Sequence, residues 1–224
     1  MKIKLGLFAA VLLLFLAANI THGEEEPHLV ITWQAKSYAP LGYEGKILPT
    51  EKSLVNASVA LIERGAPVNI SNETVYWYLN EKFLAGGQGI RSVQFRTPEL
   101  GGGSIKLRVH LPGYKGKLII NTIEIPVTFP QLAIDAPFFN KTVGTKFTVR
   151  ARPFFFNVER VSQLKYSWRV NGAPPKSSEN PESLDVSVNA DAPPGSQIEI
   201  RSVVSNPKAD LESAAKSIIL YFRP

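Results

Sequence analysis

The chain has 224 residues, no cysteine, a formal charge of +6 and 44% apolar residues. That apolar content excludes a wholly disordered chain. The missing cysteine excludes disulfide frameworks, Cys-ligated zinc, iron–sulfur clusters and thiol nucleophiles, and three histidines (His22, His28, His110) leave little for a histidine metal site or a proton relay.

Lys2 and Lys4 precede an apolar run from Leu5 to Ile20, the layout of a secretory signal. The run falls short of the roughly 20 residues of a membrane-spanning helix. Ala17-Ala18 near the end of the run and Thr21-His22-Gly23 just after it are candidate cleavage sites. Residues 1–23 are therefore expected to be a cleaved signal peptide, with an uncleaved N-terminal anchor as the competing reading. Membrane contact is expected only through this segment, if it stays attached. Loss of Lys2 and Lys4 leaves 23 basic against 19 acidic residues, or +4. With no basic cluster, nucleic acid is not an expected partner. An exported chain without cysteine fits a bacterial surface protein better than an animal secreted one.

The remainder reads as β structure. Ser53 to Ile62 lines up with Thr142 to Ala151. Val75-Tyr76-Trp77-Tyr78-Leu79-Asn80-Glu81 lines up with Tyr166-Ser167-Trp168-Arg169-Val170-Asn171-Gly172, at an offset of 91 between the tryptophans. Gly103 to Val109 lines up with Gly195 to Arg201 at an offset of 92. Three collinear matches imply two copies of one unit, expected at 24–130 and 131–224 with a short, semi-rigid link near Phe129-Pro130-Gln131. Ile105, Leu107, Val109 and Leu111 alternate with Lys106, Arg108 and His110, which places His110 on a solvent face. Ile123, Ile125, Val127 and Phe129 alternate in the same way, as do Leu164, Tyr166, Trp168 and Val170, and Leu184, Val186 and Val188. Only Lys208 to Lys216 has a helical spacing, enough for one or two turns. Pro112 to Gly116 and Asn171-Gly172 read as hairpin turns. Gly86-Gly87-Gln88-Gly89 and Gly101-Gly102-Gly103-Ser104 read as turns too, since neither carries the Lys of a phosphate-binding loop. Strands every 8–12 residues in units near 100 residues predict two tandem immunoglobulin-like β-sandwich domains.

The Trp168-Arg169-Val170-Asn171-Gly172 segment resembles the tryptophan strand and turn of bacterial Ig-like and polycystic-kidney-disease-type (PKD-like) repeats. Trp77-Tyr78-Leu79-Asn80 resembles the same element, with Glu81 in place of the glycine. The resemblance implies a tandem β-sandwich surface protein in which Trp77 and Trp168 are core centres.

No chemistry-bearing motif competes with this. There is no Gly-x-Ser-x-Gly nucleophile elbow and no calcium-loop pattern; two distant acids could still meet in space, but no convergent site can be named from the sequence, so neither catalytic residues, metal ligands nor cofactors are expected. Beyond residues 1–23, Asn-x-Ser/Thr triplets begin at Asn56, Asn69, Asn72 and Asn140; they are frequent by chance and mean little in a bacterium. The binding candidates are aromatic. Phe154, Phe155 and Phe156 cannot all face one core from a strand, so at least one is either exposed for a partner or covered by the first unit or a neighbouring loop. Tyr76 and Tyr78 flank Trp77 on the outer phase of its strand. They either pack as cross-strand aromatics or form a contact surface. The expected role is an exported, non-catalytic structural or interaction module of the bacterial cell envelope (spacer, adhesion or surface-assembly component). The alternative is a soluble carbohydrate-binding module. Partners are expected among other envelope proteins or surface glycans.

Overall fold

The computed structural model describes residues 26–99, 102–136, 138–175 and 180–223. The expected signal peptide (1–23) and Gly101 of the second glycine run lie outside them.

The N-terminal half holds β1 (His28–Ala35), β2 (Leu54–Glu63), β3 (Ala66–Val68), β4 (Thr74–Leu79), β5 (Lys82–Gln88), β6 (Ser92–Arg96), β7 (Gly103–Tyr114) and β8 (Lys117–Val127). β2 pairs β1 along one edge and β3 and β6 along the other, all antiparallel. The facing sheet runs β5-β4-β7-β8. Period-2 patterning turns Val55, Ala57, Val59 and Leu61 of β2 toward Trp77 of β4 and toward Ile105, Leu107, Val109 and Leu111 of β7, in one buried cluster. The C-terminal half holds β9 (Gln131–Asp135), β10 (Thr142–Val143), β11 (Lys146–Phe154), β12 (Lys165–Val170), β13 (Ser183–Ser187), β14 (Gln197–Ser205) and β15 (Ser213–Phe222). Its sheets run β9-β11-β13 and β10-β15-β14-β12, around a second cluster that includes Phe147, Phe156, Trp168, Ile200 and Phe222. In both halves the first strand (β1, β9) shares a sheet with the long strand that follows (β2, β11) and with a later crossing strand (β6, β13), and the tryptophan strand shares the other sheet with the last two. The fold is all-β and immunoglobulin-like.

The Trp-x-x-Asn segments do the same work in both halves. Trp77 Nε1 donates to the Ile90 carbonyl at 2.9 Å and Trp168 Nε1 donates to the Pro181 carbonyl at 3.0 Å. Each accepting carbonyl lies just before the strand that joins the opposite sheet, so the indole ties the two sheets together. Three residues on, Asn80 and Asn171 adopt positive φ (46° and 48°). Asn80 donates its N–H to the Lys106 carbonyl (2.9 Å) and accepts the Lys106 N–H on Oδ1 (2.9 Å). Asn171 makes the same pair with Glu199, at 2.9 and 2.8 Å. Asn tolerates the left-handed conformation and offers a second acceptor there.

These bonds also set the equivalences. Lys106 matches Glu199 and Ile105 matches Ile198, an offset of 93 rather than the 92 read from the sequence. A slip of one residue exchanges buried for exposed positions; the sequence alignment had set exposed Lys106 against buried Ile198. Likewise Val59 N–H reaches the Arg91 carbonyl and Ala151 N–H the Glu182 carbonyl, which makes the offset 92 on the second strand where the sequence match implied 89.

Other expectations change too. The stretch expected to be helical is a turn (208–212) running into β15, because Ser213, Ala215, Ser217 and Ile219 pair with β14. The alternation through Phe129 stops at Val127; Phe129 is 58% exposed, its ring over Gly102. Gly86 and Gly87 belong to β5 rather than to a turn. The turn after β7 contracts to Lys115-Gly116, both at positive φ, behind a bulge between Leu111 and Tyr114.

Residues 128–130 alone separate β8 from β9. A buried polar joint sits beside this link. Ser53 Oγ accepts the Thr50 N–H (2.8 Å) and donates to Asn157 Oδ1 (2.5 Å). Asn157 Nδ2 donates to the Glu51 carbonyl (2.8 Å). The buried Glu212 carboxylate accepts the Asn157 N–H (2.6 Å), Asn206 Nδ2 (2.5 Å) and the Thr50 hydroxyl (3.5 Å). Alongside, Tyr38 N–H donates to the Phe156 carbonyl (2.7 Å) and Phe155 N–H to the Tyr38 carbonyl (2.6 Å). Burial, reinforced by the Glu182 carboxylate, raises the Tyr38 and Tyr166 phenols above their ordinary value.

Trp168→Phe keeps a ring in the core but strands the Pro181 carbonyl and leaves a void. The expected loss is about 2 kcal/mol by chemical denaturation. Glu212→Gln turns one acceptor into a donor facing donors already in place. It is expected to cost about 2 kcal/mol and to speed amide exchange at Tyr38 and Phe155.

Candidate interaction surface

The solvent face of the β5-β4-β7-β8 sheet carries two rows of side chains. One row reads Gly86, Tyr76, His110, Ile120; the next reads Phe83, Tyr78, Arg108, Thr122. A bulge between Trp77 and Tyr78 sets Phe83 opposite Tyr78. Gly86 is required by its neighbour: a Cβ there would come within 2.3 Å of the Tyr76 ring. Its absence lets that ring lie down on β5. Tyr76–Phe83 and Tyr78–Phe83 ring centroids are 6.5 and 6.0 Å apart, and Tyr78–His110 4.7 Å, within the range of favourable aromatic pairs. The Arg108 guanidinium stands 5.4 Å over the Tyr78 ring and pairs with Glu81. Tyr76 is 36%, Phe83 63% and Ile120 48% exposed. β8, the last strand of the sheet, adds Leu118, exposed as well. The result is an aromatic and aliphatic strip across one sheet face.

His110 belongs to this strip rather than to open solvent. Its Nε2 is buried and has no hydrogen-bond partner among the described residues; Arg108 Nε is in the same position. Burial lowers the imidazole below its usual value, the Arg108 charge adds to this, and Glu81 partly offsets it.

Of the sequence candidates, the sheet brings Tyr76 and Tyr78 together, Tyr76 open and Tyr78 half-buried between Phe83 and His110. The phenylalanine triplet lies elsewhere. Phe155 and Phe156 are buried, which corrects their reading as exposed aromatics. The chain leaves the strand at Phe155 with φ of 63°, so Phe156 turns into the second core. Tyr43 of the N-terminal half packs edge-on against Phe154 and Phe155, at 5.6 and 5.8 Å. Sequence reasoning missed Phe83, whose strand was read as a glycine turn, and Ile120. The short hairpin Asn80-Glu81 after an aromatic strand was the signal that a partner strand follows.

Among the described residues no three His, Asp or Glu side chains converge on a point that could hold a metal. No helix among them is long and apolar enough to cross a membrane.

No protein-family model matches the chain, and no curated protein matches it. Solved structures align at low similarity. Fibronectin(III)-like modules of Clostridium thermocellum CbhA match at 14% identity and TM-score 0.30, over 86% of this chain and 94% of that one. SGBP-B of a Bacteroides ovatus mixed-linkage glucan utilization locus, solved with a mixed-linkage heptasaccharide, matches at 14% and 0.26, over 89% of this chain and 47% of that one. A C-terminal 282-residue fragment of intimin, solved with the intimin-binding domain of its translocated receptor, matches at 12% and 0.29, over 84% and 62%. At these TM-scores the alignments carry no further argument, and the sandwich assignment rests on the chain's own strand order.

A histidine held below its usual pKa keeps its full stabilising effect above the unfolded value of about 6.5 and loses it as pH falls toward the folded value. Between pH 7.5 and 5 the melting temperature is therefore expected to drop more in the native chain than in His110→Phe, measured in parallel by circular dichroism.

Proposed function

We propose that this protein is an exported, non-catalytic interaction module of the bacterial cell envelope. It comprises two tandem immunoglobulin-like domains, 24–130 and 131–224, behind a signal peptide at 1–23. It engages a protein partner through the β5-β4-β7-β8 face of the first domain. The carrying observation is the strip of Tyr76, Phe83 and Ile120, held open on a sheet whose other side is fully packed. Burying such rings is the largest source of affinity a flat surface has, and Tyr and Arg are enriched at the centres of protein interfaces. β8 is the last strand of this sheet, and its exposed Leu118 and Ile120 extend the strip to that side. The buried joint supports a spacer that presents this face at a fixed angle.

The carbohydrate alternative through Tyr76 and Tyr78 is weaker at this face. Tyr78 is crowded by Phe83, His110 and Arg108, and Tyr76 lies against Gly86, which leaves less free ring for a sugar to stack on. A photo-crosslinking residue placed at Phe83 in living cells is expected to capture one envelope protein as a discrete adduct. The same residue at Asp185, in the second half, should not. Equal adduct patterns from both positions would remove this surface as the contact.

A further inference from the structure

The opposite face of the same half has a different chemistry. Gln34 of β1, Asn56 of β2 and Gln94 of β6 stand side by side in one row; Thr32, Ser58 and Ser92 form the next. These two rows hold six uncharged hydrogen-bonding side chains and no charge. The equivalent face of the C-terminal half carries Lys146, Arg150, Arg152, Asp135 and Asp185. Arg152 pairs there with Asp135 (2.7 Å), and Thr148 donates to Asp185 (2.5 Å). Two sheets of like topology thus differ in the kind of surface they offer water.

The uncharged rows are pre-arranged and unspent. Gln94 Nε2 donates to Asn56 Oδ1 at 2.7 Å. That bond fixes both amides and leaves Asn56 Nδ2 to donate and Gln94 Oε1 to accept. Among the described residues the side chains of Thr32, Gln34, Ser58 and Ser92 make no hydrogen bond to protein. Thr32, Gln34, Asn56 and Ser58 help line an open depression of about 490 Å³, together with Lys46 and its neighbours Gly45 and Ile47. Lys46 Nζ donates to the Trp33 carbonyl (2.6 Å) and sits 4.3 Å from the centre of the Trp33 ring. The one charge in the depression is therefore already engaged.

We infer that this face binds a neutral glycan chain. The groups on it act as donor and acceptor at once, as sugar hydroxyls do. Strands roughly 4.8 Å apart, with side chains repeating at about 6.8 Å along each strand, form a grid on the scale of pyranose rings. A few fixed polar groups of this kind are what orients a ligand and selects it at a binding site. No carboxylate or free cation lies in the two rows to favour a charged ligand; Lys36 and Arg96 lie beyond one end.

The test is titration of the ¹⁵N-labelled protein with cellohexaose, xylohexaose and mannohexaose, with polygalacturonate as an acidic comparison. The expected result is amide shifts confined to β1, β2 and β6 with at least one neutral hexamer. Gln34→Ala combined with Gln94→Ala, both at exposed positions, should weaken this binding at least about tenfold, the loss of one or two hydrogen bonds, at an unchanged melting temperature. Tyr76→Ala combined with Phe83→Ala should leave it intact. Shifts with none of the neutral hexamers, shifts only with polygalacturonate, or binding that survives the Gln34/Gln94 variant would each overturn the inference. Loss through the Tyr76/Phe83 pair instead would also overturn it and move the sugar to the aromatic face.

Discussion

Everything in this fold hangs on two indole N–H bonds. A sandwich of two sheets has no backbone hydrogen bonds between its layers, and immunoglobulin-like domains commonly add a disulfide there. This chain has no cysteine. Trp77 and Trp168 instead span from the tryptophan strand to the carbonyl of a residue about to join the facing sheet. The same ring that fills the core thereby fixes the relative slide of the layers. Two functions rest on one side chain, in each half alike.

The strip and the amide rows depend on that arrangement. With Trp77 committed inward, Tyr76 and Tyr78 are forced outward by the pleat, and His110 and Arg108 of the next strand meet them. With Val55, Ala57 and Val59 committed inward, Asn56 and Ser58 face water. The N-terminal half thus carries an aromatic surface on one side and an uncharged polar surface on the other. Each is set by which residues the core did not take.

Sequence alone exposed much of this, and its failures have specific causes. Strong alternation, as in Ile105 to Leu111, and the Trp-x-x-Asn segments located the tryptophan strand and the strand it pairs with. The alignment of the two halves slipped because Gly103-Ser104 and Gly195-Ser196 look alike while their strands start differently, and a match of a few residues cannot resolve one position. β15 was hidden because small residues (Ala214, Ala215) stand where large ones would mark a period of two. Gly86 was read as a turn because its role is defined by the Tyr76 ring, ten residues earlier. The amide row could not be seen at all: Gln34, Asn56 and Gln94 come from three strands and meet only through pairing register. The same holds for Glu212, an exposed-looking acid in a turn that reaches Asn157 of a distant loop.

The link between the halves has a consequence for binding more than one thing at once. Thr128 gives its N–H to the Pro49 carbonyl, Pro130 has a fixed φ, and the Asn157–Glu212 joint closes beside them. Little torsional freedom is left between β8 and β9. A flexible linker would set the effective concentration of a second contact by chain statistics; here it is set by geometry. Were each half to make a contact, an assembly that matches the angle would gain the second one without an ordering penalty, and one that misses it by a few ångströms would gain nothing.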